Sequence, residues 1–236
     1  VIGETNLETH GTWQKLGADG SDAWTLPGAR PEWRDNVLAR AEAMLERDKN
    51  HPAILIWSCG NESHGGKTLW EMSEYFRKTD PSRLVHYEGI FWNREYPDTS
   101  DMESQMYTPV ADIQKFLAAH PEKPFIMCEY SHAMGNSCGG ITNYTEYAYE
   151  EPLYQGGFIW EYIDHGIEVT GPDGKPSFAY GGDFGDRPTD REFCIDGLVL
   201  PDRRNTPKMD AVKAAYAPVK ITLTDTEAII ENRTLF

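Results

Sequence analysis

Short apolar runs alternate with amphipathic stretches along most of this chain. Such alternation predicts an α/β fold with a parallel sheet. Residues 34–49 place Val37, Leu38, Ala41, Met44 and Leu45 at helical spacing, and His51-Pro52 ends that helix before a strand at 53–58. A second helix is predicted over 67–79, with Leu69, Met72 and Phe76 on one face, stopped by Asp80-Pro81. Further strands are predicted at 1–7, 84–87, 105–107, 124–128 and 157–160, with helices at 111–119 and 140–150 and a loop around 91–104.

The texture changes after residue 164. Gly171-Pro172-Asp173-Gly174 is turn chemistry between two short runs and predicts a hairpin. Residues 181–186 form a glycine-rich loop, and Pro207 suits the first turn of a helix over 207–216. Residues 219–236 alternate as the first strands of a separate β-domain would. The expected division is 1–217 for the α/β domain and 218–236 for the start of a β-sandwich. An eightfold barrel needs about 250 residues, and the chain opens on Val1-Ile2-Gly3 without an initiator Met. The expectation is therefore a TIM barrel whose first strands lie upstream.

Two residues stand out against this pattern. Glu62 ends the apolar run Ile54-Leu55-Ile56-Trp57-Ser58-Cys59-Gly60-Asn61, and Glu129 ends Pro124-Phe125-Ile126-Met127-Cys128. A carboxylate where a buried strand stops is held rigidly and still meets solvent. Either one alone would fit a strand-end salt bridge as well as a catalytic role. Together they match the acid and the nucleophile or base that glycoside hydrolysis requires.

Composition narrows the classes. The 236 residues carry a net charge of −16, which disfavours binding a phosphate backbone. Aromatic residues make up 12%, mild support for stacking on sugar faces. Cys59, Cys128, Cys138 and Cys194 form no CxxC pair and read as reduced thiols of a cytoplasmic protein. No stretch is long and apolar enough to cross a membrane, and no signal peptide is visible.

Four segments, Asn6-Leu7-Glu8-Thr9-His10-Gly11, Trp57 to Ser63, Cys128 to Ser137 and Gly181 to Asp186, resemble the β-galactosidases of glycoside hydrolase family 2. The resemblance runs over essentially the whole chain and implies a TIM-barrel catalytic domain cleaving terminal β-D-galactosides, lactose among them, with retention. It implies Glu62 as acid/base, Glu129 as nucleophile and Tyr107 as a tyrosine tuning the nucleophile. Asn61 would bind the sugar 2-hydroxyl, His132 would contact the sugar, and Trp160 would be the platform beneath galactose. Asn61-Glu62-Ser63 also spells a glycosylation sequon, read here as chance because a glycan would block the site.

From spacing alone, Glu8 and His10 read as a hydrogen-bonded pair without metal. The resemblance implies instead that Glu8, His10 and Glu62 bind Mg²⁺, a hard cation satisfied by few protein ligands and several waters. It also implies a Na⁺ or K⁺ site at Phe193, through its carbonyl, and Asp196. The best-known members carry Asn at the latter position, so selectivity there is in question. Partners reduce to a small galactoside and, in the full-length protein, further copies of the chain. The runner-up activity is β-glucuronidase, which needs a cation for the substrate carboxylate. No Arg or Lys adjoins Glu62, Glu129 or Trp160. The other class is a catalytically incomplete sugar-binding fragment, since a barrel lacking strands exposes an unpaired edge.

Overall fold

A computed structural model describes residues 1–12 and 25–234. The chain divides into two compact units. One comprises residues 1–128 and 153–155, the other residues 129–152 and 156–236.

The first unit opens with β1 (Ile2–Glu4), followed by α1 (Arg34–Asp48), β2 (Ile56–Ser58), α2 (Lys67–Thr79) and β3 (Leu84–His86). β1, β2 and β3 lie side by side in that order and are parallel, with Gly3 opposite Trp57 and Trp57 opposite Val85. α1 buries Val37, Ala41, Met44 and Leu45, with Leu38 of the predicted face only partly buried, and α2 buries Leu69, Met72 and Phe76 as predicted from spacing. Those faces close on Trp57, which is fully buried and stacks on Phe76 at 6.0 Å. Its indole N–H donates to Asp80 at 2.9 Å, and the Arg83 guanidinium lies 5.0 Å over its ring. Burying each such large side chain contributes about 1.5–3 kcal/mol.

β4 (Glu103–Met106), α3 (Val110–Ala119), β5 (Phe125–Tyr130), α4 (Ile141–Glu150) and β6 (Tyr154–Ile159) follow, and the three strands form a sheet in the order β4-β5-β6. Glu103 N–H bonds Pro124 O and Phe125 N–H bonds Leu153 O, so neighbouring strands begin side by side, as helical crossovers require. The observed β–α repetition is the predicted one. The stretch expected to be a plain loop at 91–104 instead follows a 3₁₀ turn at Glu88–Phe91 and contains another at Pro97–Thr99.

A polar chain crosses the first four strands. The Ser58 hydroxyl donates to Glu4 at 2.9 Å, His86 Nδ1 meets Ser58 Oγ at 3.0 Å, and His86 Nε2 meets Ser104 Oγ at 2.7 Å. With the Ser58 proton directed at Glu4, His86 donates through Nδ1 and accepts through Nε2, so its neutral form satisfies both hydroxyls. Burial holds its pKa down at about 4.

In the second unit, β7 (Ile167–Thr170) and β8 (Pro176–Ala179) form the predicted antiparallel hairpin, its turn closed by Gly171 N–H to Lys175 O at 2.7 Å. α5 (Lys208–Ala215) precedes a second hairpin, β9 (Val219–Leu223) and β10 (Ala228–Asn232), whose residues are exposed throughout. Arg233 and Lys220 pair with Glu146 on α4, and the Arg233 guanidinium covers the Tyr149 ring at 4.3 Å. None of the four cysteines forms a disulfide. No helix among the described residues is long and apolar enough to cross a membrane.

Candidate active site

The predicted site residues fall into two groups, one in each unit. In the first unit, Glu62 follows β2 and is half-buried, with φ +42°. Glu8 pairs with Asn61 in a parallel bridge that extends the β1–β2 alignment, and Asn61 N–H donates to Leu7 O at 2.9 Å. Gly60 is required between them. Its φ is +137°, and a Cβ there would stand 2.6 Å from the Leu7 carbonyl oxygen. His10 Nε2 reaches Glu62 Oε2 at 3.4 Å. Burial raises the Glu62 pKa above the ordinary carboxylate value. His10 opposes that shift and the negative charge of Glu8 adds to it. A carboxyl with its proton held more tightly than usual is what a general acid needs near neutral pH.

Glu8, His10 and Glu62 are the residues expected to bind a hard cation. Among the described residues, however, no three His, Cys, Asp or Glu side chains are grouped closely enough to hold an ion as they stand. Tyr107 follows β4 and is 40% exposed, with φ +53°.

In the second unit, Glu129 lies within β5 and is buried. Ser131, two residues on, has φ +49°. Glu62, Tyr107 and Ser131 thus all occupy the left-handed region at or just after strand ends. Such backbone costs about 1–3 kcal/mol per residue and persists where surrounding structure enforces it, which is a feature of functional sites.

Trp160 follows β6 and stays partly exposed, and its indole N–H donates to buried Asp196 at 3.0 Å. His132 Nε2 lies 3.8 Å from Asp196, and its ring packs on that of Phe193 at 5.8 Å. The structure therefore brings His132, Trp160, Phe193 and Asp196 together. The Asp196 Oδ1 atom is buried and has no conventional donor among the described residues.

Two carboxylates escaped the sequence reading. Glu161, next to Trp160, has its pKa pushed up to about 9 by burial, by a hydrogen bond with Asp196, and by the charges of Asp196, Asp164 and Glu129. Glu88, after β3, is buried and accepts the Glu62 N–H at 2.8 Å. The criterion that singles out Glu62 and Glu129, a carboxylate where an apolar strand stops, selects both.

The family model for glycosyl hydrolases family 2, TIM barrel domain, matches residues 1–221. The chain belongs to that family. It is 54% identical, over its whole length and 23% of the relative's, to a β-galactosidase of Halalkalibacterium halodurans. It is 52% identical, over its whole length and 26% of the relative's, to a β-galactosidase of Clostridium acetobutylicum. A β-galactosidase large subunit of Latilactobacillus sakei is 49% identical over 93% of this chain and 35% of its own.

The family 2 chain thus spans about a quarter of the length of the first two relatives. Among solved structures, a β-glucuronidase of Bacteroides uniformis aligns with TM-score 0.55 at 17% identity, covering 84% of this chain and 28% of that one. A galacturonate-bound β-galacturonidase of Eisenbergiella tayi aligns with TM-score 0.55 at 16% identity, covering 79% and 37%. At such identities these structures support the family 2 barrel fold and say nothing of substrate.

Proposed function

We propose that this chain is the catalytic part of a retaining β-galactosidase. The observation that carries the reading is Glu62. It is a half-buried carboxyl just beyond a parallel strand, its pKa is raised, and its backbone is held in a left-handed turn. Glu62 protonates the glycosidic oxygen as the bond to the anomeric carbon breaks, and Glu129 attacks that carbon to form a galactosyl ester. Glu62, now ionised, takes a proton from water as the water displaces Glu129. This double displacement requires the two carboxyls ~5–5.5 Å apart. Tyr107 hydrogen-bonds the nucleophile and tunes its charge. Asn61 holds the 2-hydroxyl, His132 contacts the sugar, and Trp160 lies beneath its apolar face. Lactose-type galactosides are the substrates.

Glu8, His10 and Glu62 would hold Mg²⁺, which would supply positive charge beside the acid/base. Phe193, through its carbonyl, and Asp196 would hold Na⁺ or K⁺. The buried Asp196 Oδ1 supports the second site. The β9–β10 hairpin reads as belonging to a β-sandwich rather than to the barrel. Relatives named as large subunits support assembly into an oligomer, and a cytoplasmic location accords with cysteines that form no disulfide.

β-Glucuronidase is the second reading, and it needs a cation for the substrate carboxylate, whereas no Arg or Lys adjoins Glu62, Glu129 or Trp160. The whole-chain identity to β-galactosidases favours galactose over it. The test is to treat the full-length protein with a 2-fluoro galactosyl fluoride, whose fluorine slows hydrolysis of the ester. Mass mapping should find the label on Glu129. Labelling elsewhere, or only by the corresponding glucuronyl reagent, refutes the proposal.

A further inference from the structure

Three side chains from residues 87–93 hold the backbone that carries Glu62. Buried Glu88 accepts the Glu62 N–H at 2.8 Å. Tyr87, fully buried, donates its hydroxyl to the Ser63 carbonyl. Asn93 Nδ2 donates to the Gly65 carbonyl at 3.0 Å. The other side of the turn is tied by Asn61 N–H to Leu7 O at 2.9 Å and by His64 N–H to Leu26 O at 3.2 Å. Packing fixes the holding segment in turn, since a Cβ at Gly89 would fall 2.4 Å from the Tyr87 ring.

Of these contacts, the one from Glu88 falls on the acid/base residue itself. Glu62 sits at φ +42°, where its own backbone would not rest unaided. Its N–H has left the strand ladder, and a backbone N–H withdrawn from water without an acceptor is costly. A carboxylate is the strongest acceptor a side chain can offer such a donor.

We propose that Glu88 is a positioning residue for catalysis. Its buried carboxylate accepts the Glu62 N–H, fixes Glu62 in the left-handed turn and thereby aims the acid/base carboxyl at the glycosidic oxygen. Glu88 acts through Glu62 and touches no substrate. The inference rests on the reading of Glu62 as acid/base.

The test uses kcat/KM of the full-length protein on aryl β-galactosides whose leaving groups span acidic to weakly acidic phenols. This quantity reports the first bond cleavage, in which only poor leaving groups need the proton. A misplaced acid should cost about 10–100-fold on the poor leaving groups and only a few-fold on dinitrophenol. The plot of log kcat/KM against leaving-group pKa therefore steepens in Glu88→Leu. Glu88→Gln keeps a carbonyl acceptor and should return to the native slope. A purely structural role would lower all substrates alike.

Two controls keep the outcomes apart. Glu62→Ala should show the same steepening, with azide restoring turnover. If it does not, the acid/base reading fails and the inference fails with it. If Glu62→Ala behaves as expected while Glu88→Leu keeps the native slope and still labels at Glu129, only the inference is overturned. A Glu88→Gln slope as steep as that of Glu88→Leu overturns it as well. Should Glu88→Leu not fold, Glu88→Asp, which withdraws the carboxylate by one methylene, must steepen the slope for the inference to stand.

Discussion

His86 gives a quantitative handle on the stability of the first unit. It is buried between the hydroxyls of Ser58 and Ser104, and burial lowers its pKa from 6.5 to about 4. An unfolded chain takes up a proton as the pH falls through 6.5, while the folded chain resists until about 4. The stability owed to neutral His86 is therefore complete above pH 6.5 and is lost progressively as the pH drops toward 4. The full span of that shift corresponds to about 3 kcal/mol, of which about 2 kcal/mol has gone by pH 5. Other groups titrate in the same interval, so the quantity to measure is a difference. His86→Gln keeps hydrogen-bonding capacity and cannot titrate. Urea unfolding, followed by the fluorescence of Trp57 and its neighbours, should show the native protein more stable than the variant at pH 7.5. That gap should narrow by about 2 kcal/mol at pH 5. A gap that stays constant with pH would mean that His86 is not held neutral, and the polar chain from Glu4 to Ser104 would need a different proton arrangement.

Three further outcomes follow from the packing. Phe76→Ala removes a fully buried ring stacked on Trp57 and should cost about 3–5 kcal/mol in the same unfolding assay. Gly60→Ala places a methyl 2.6 Å from the Leu7 carbonyl oxygen at a φ of +137°. It should separate the ends of β1 and β2, destabilise by about 2 kcal/mol or more and abolish turnover of galactosides in the full-length protein. Glu146→Gln removes the carboxylate that Arg233 and Lys220 share. The pKa of Glu146 is lowered to about 2, chiefly by those two hydrogen bonds, so the contact is present above the ordinary carboxylate range and is lost only in strong acid. Partly exposed pairs contribute at most about 1 kcal/mol, so limited proteolysis within 217–234 should accelerate a few-fold.

Much of the first unit was legible because its signals are local and repeated. Helix spacing at Val37, Ala41, Met44 and Leu45 and at Leu69, Met72 and Phe76 named the faces that are buried. Proline and glycine marked the element ends and the β7–β8 turn. Strand bounds were less legible. β5 runs on through Glu129 to Tyr130, and β2 begins only at Ile56, because a ladder ends where its neighbour ends rather than where hydrophobicity does. The 3₁₀ turns at Glu88–Phe91 and Pro97–Thr99 left no periodic signature, since one turn is too short to display a period.

The candidate site shows the same division more sharply. Glu62 can be named because it sits beside a strand end that the apolar pattern reveals, whereas Asn61 and Trp160 are named by the family resemblance. Glu88 and Glu161 satisfy the same criterion, yet neither belongs to the segments that carry the family resemblance, so that resemblance drew attention away from them. What sets these two apart is environment. Glu88 lies 2% exposed beneath a backbone N–H, and Glu161 stands among Asp196, Asp164 and Glu129. Burial and neighbouring charge arise only once distant segments are packed together, and no single segment encodes them. A candidate catalytic carboxylate can thus be marked by sequence at a strand end, while a residue placed to hold it is marked by what the fold brings alongside.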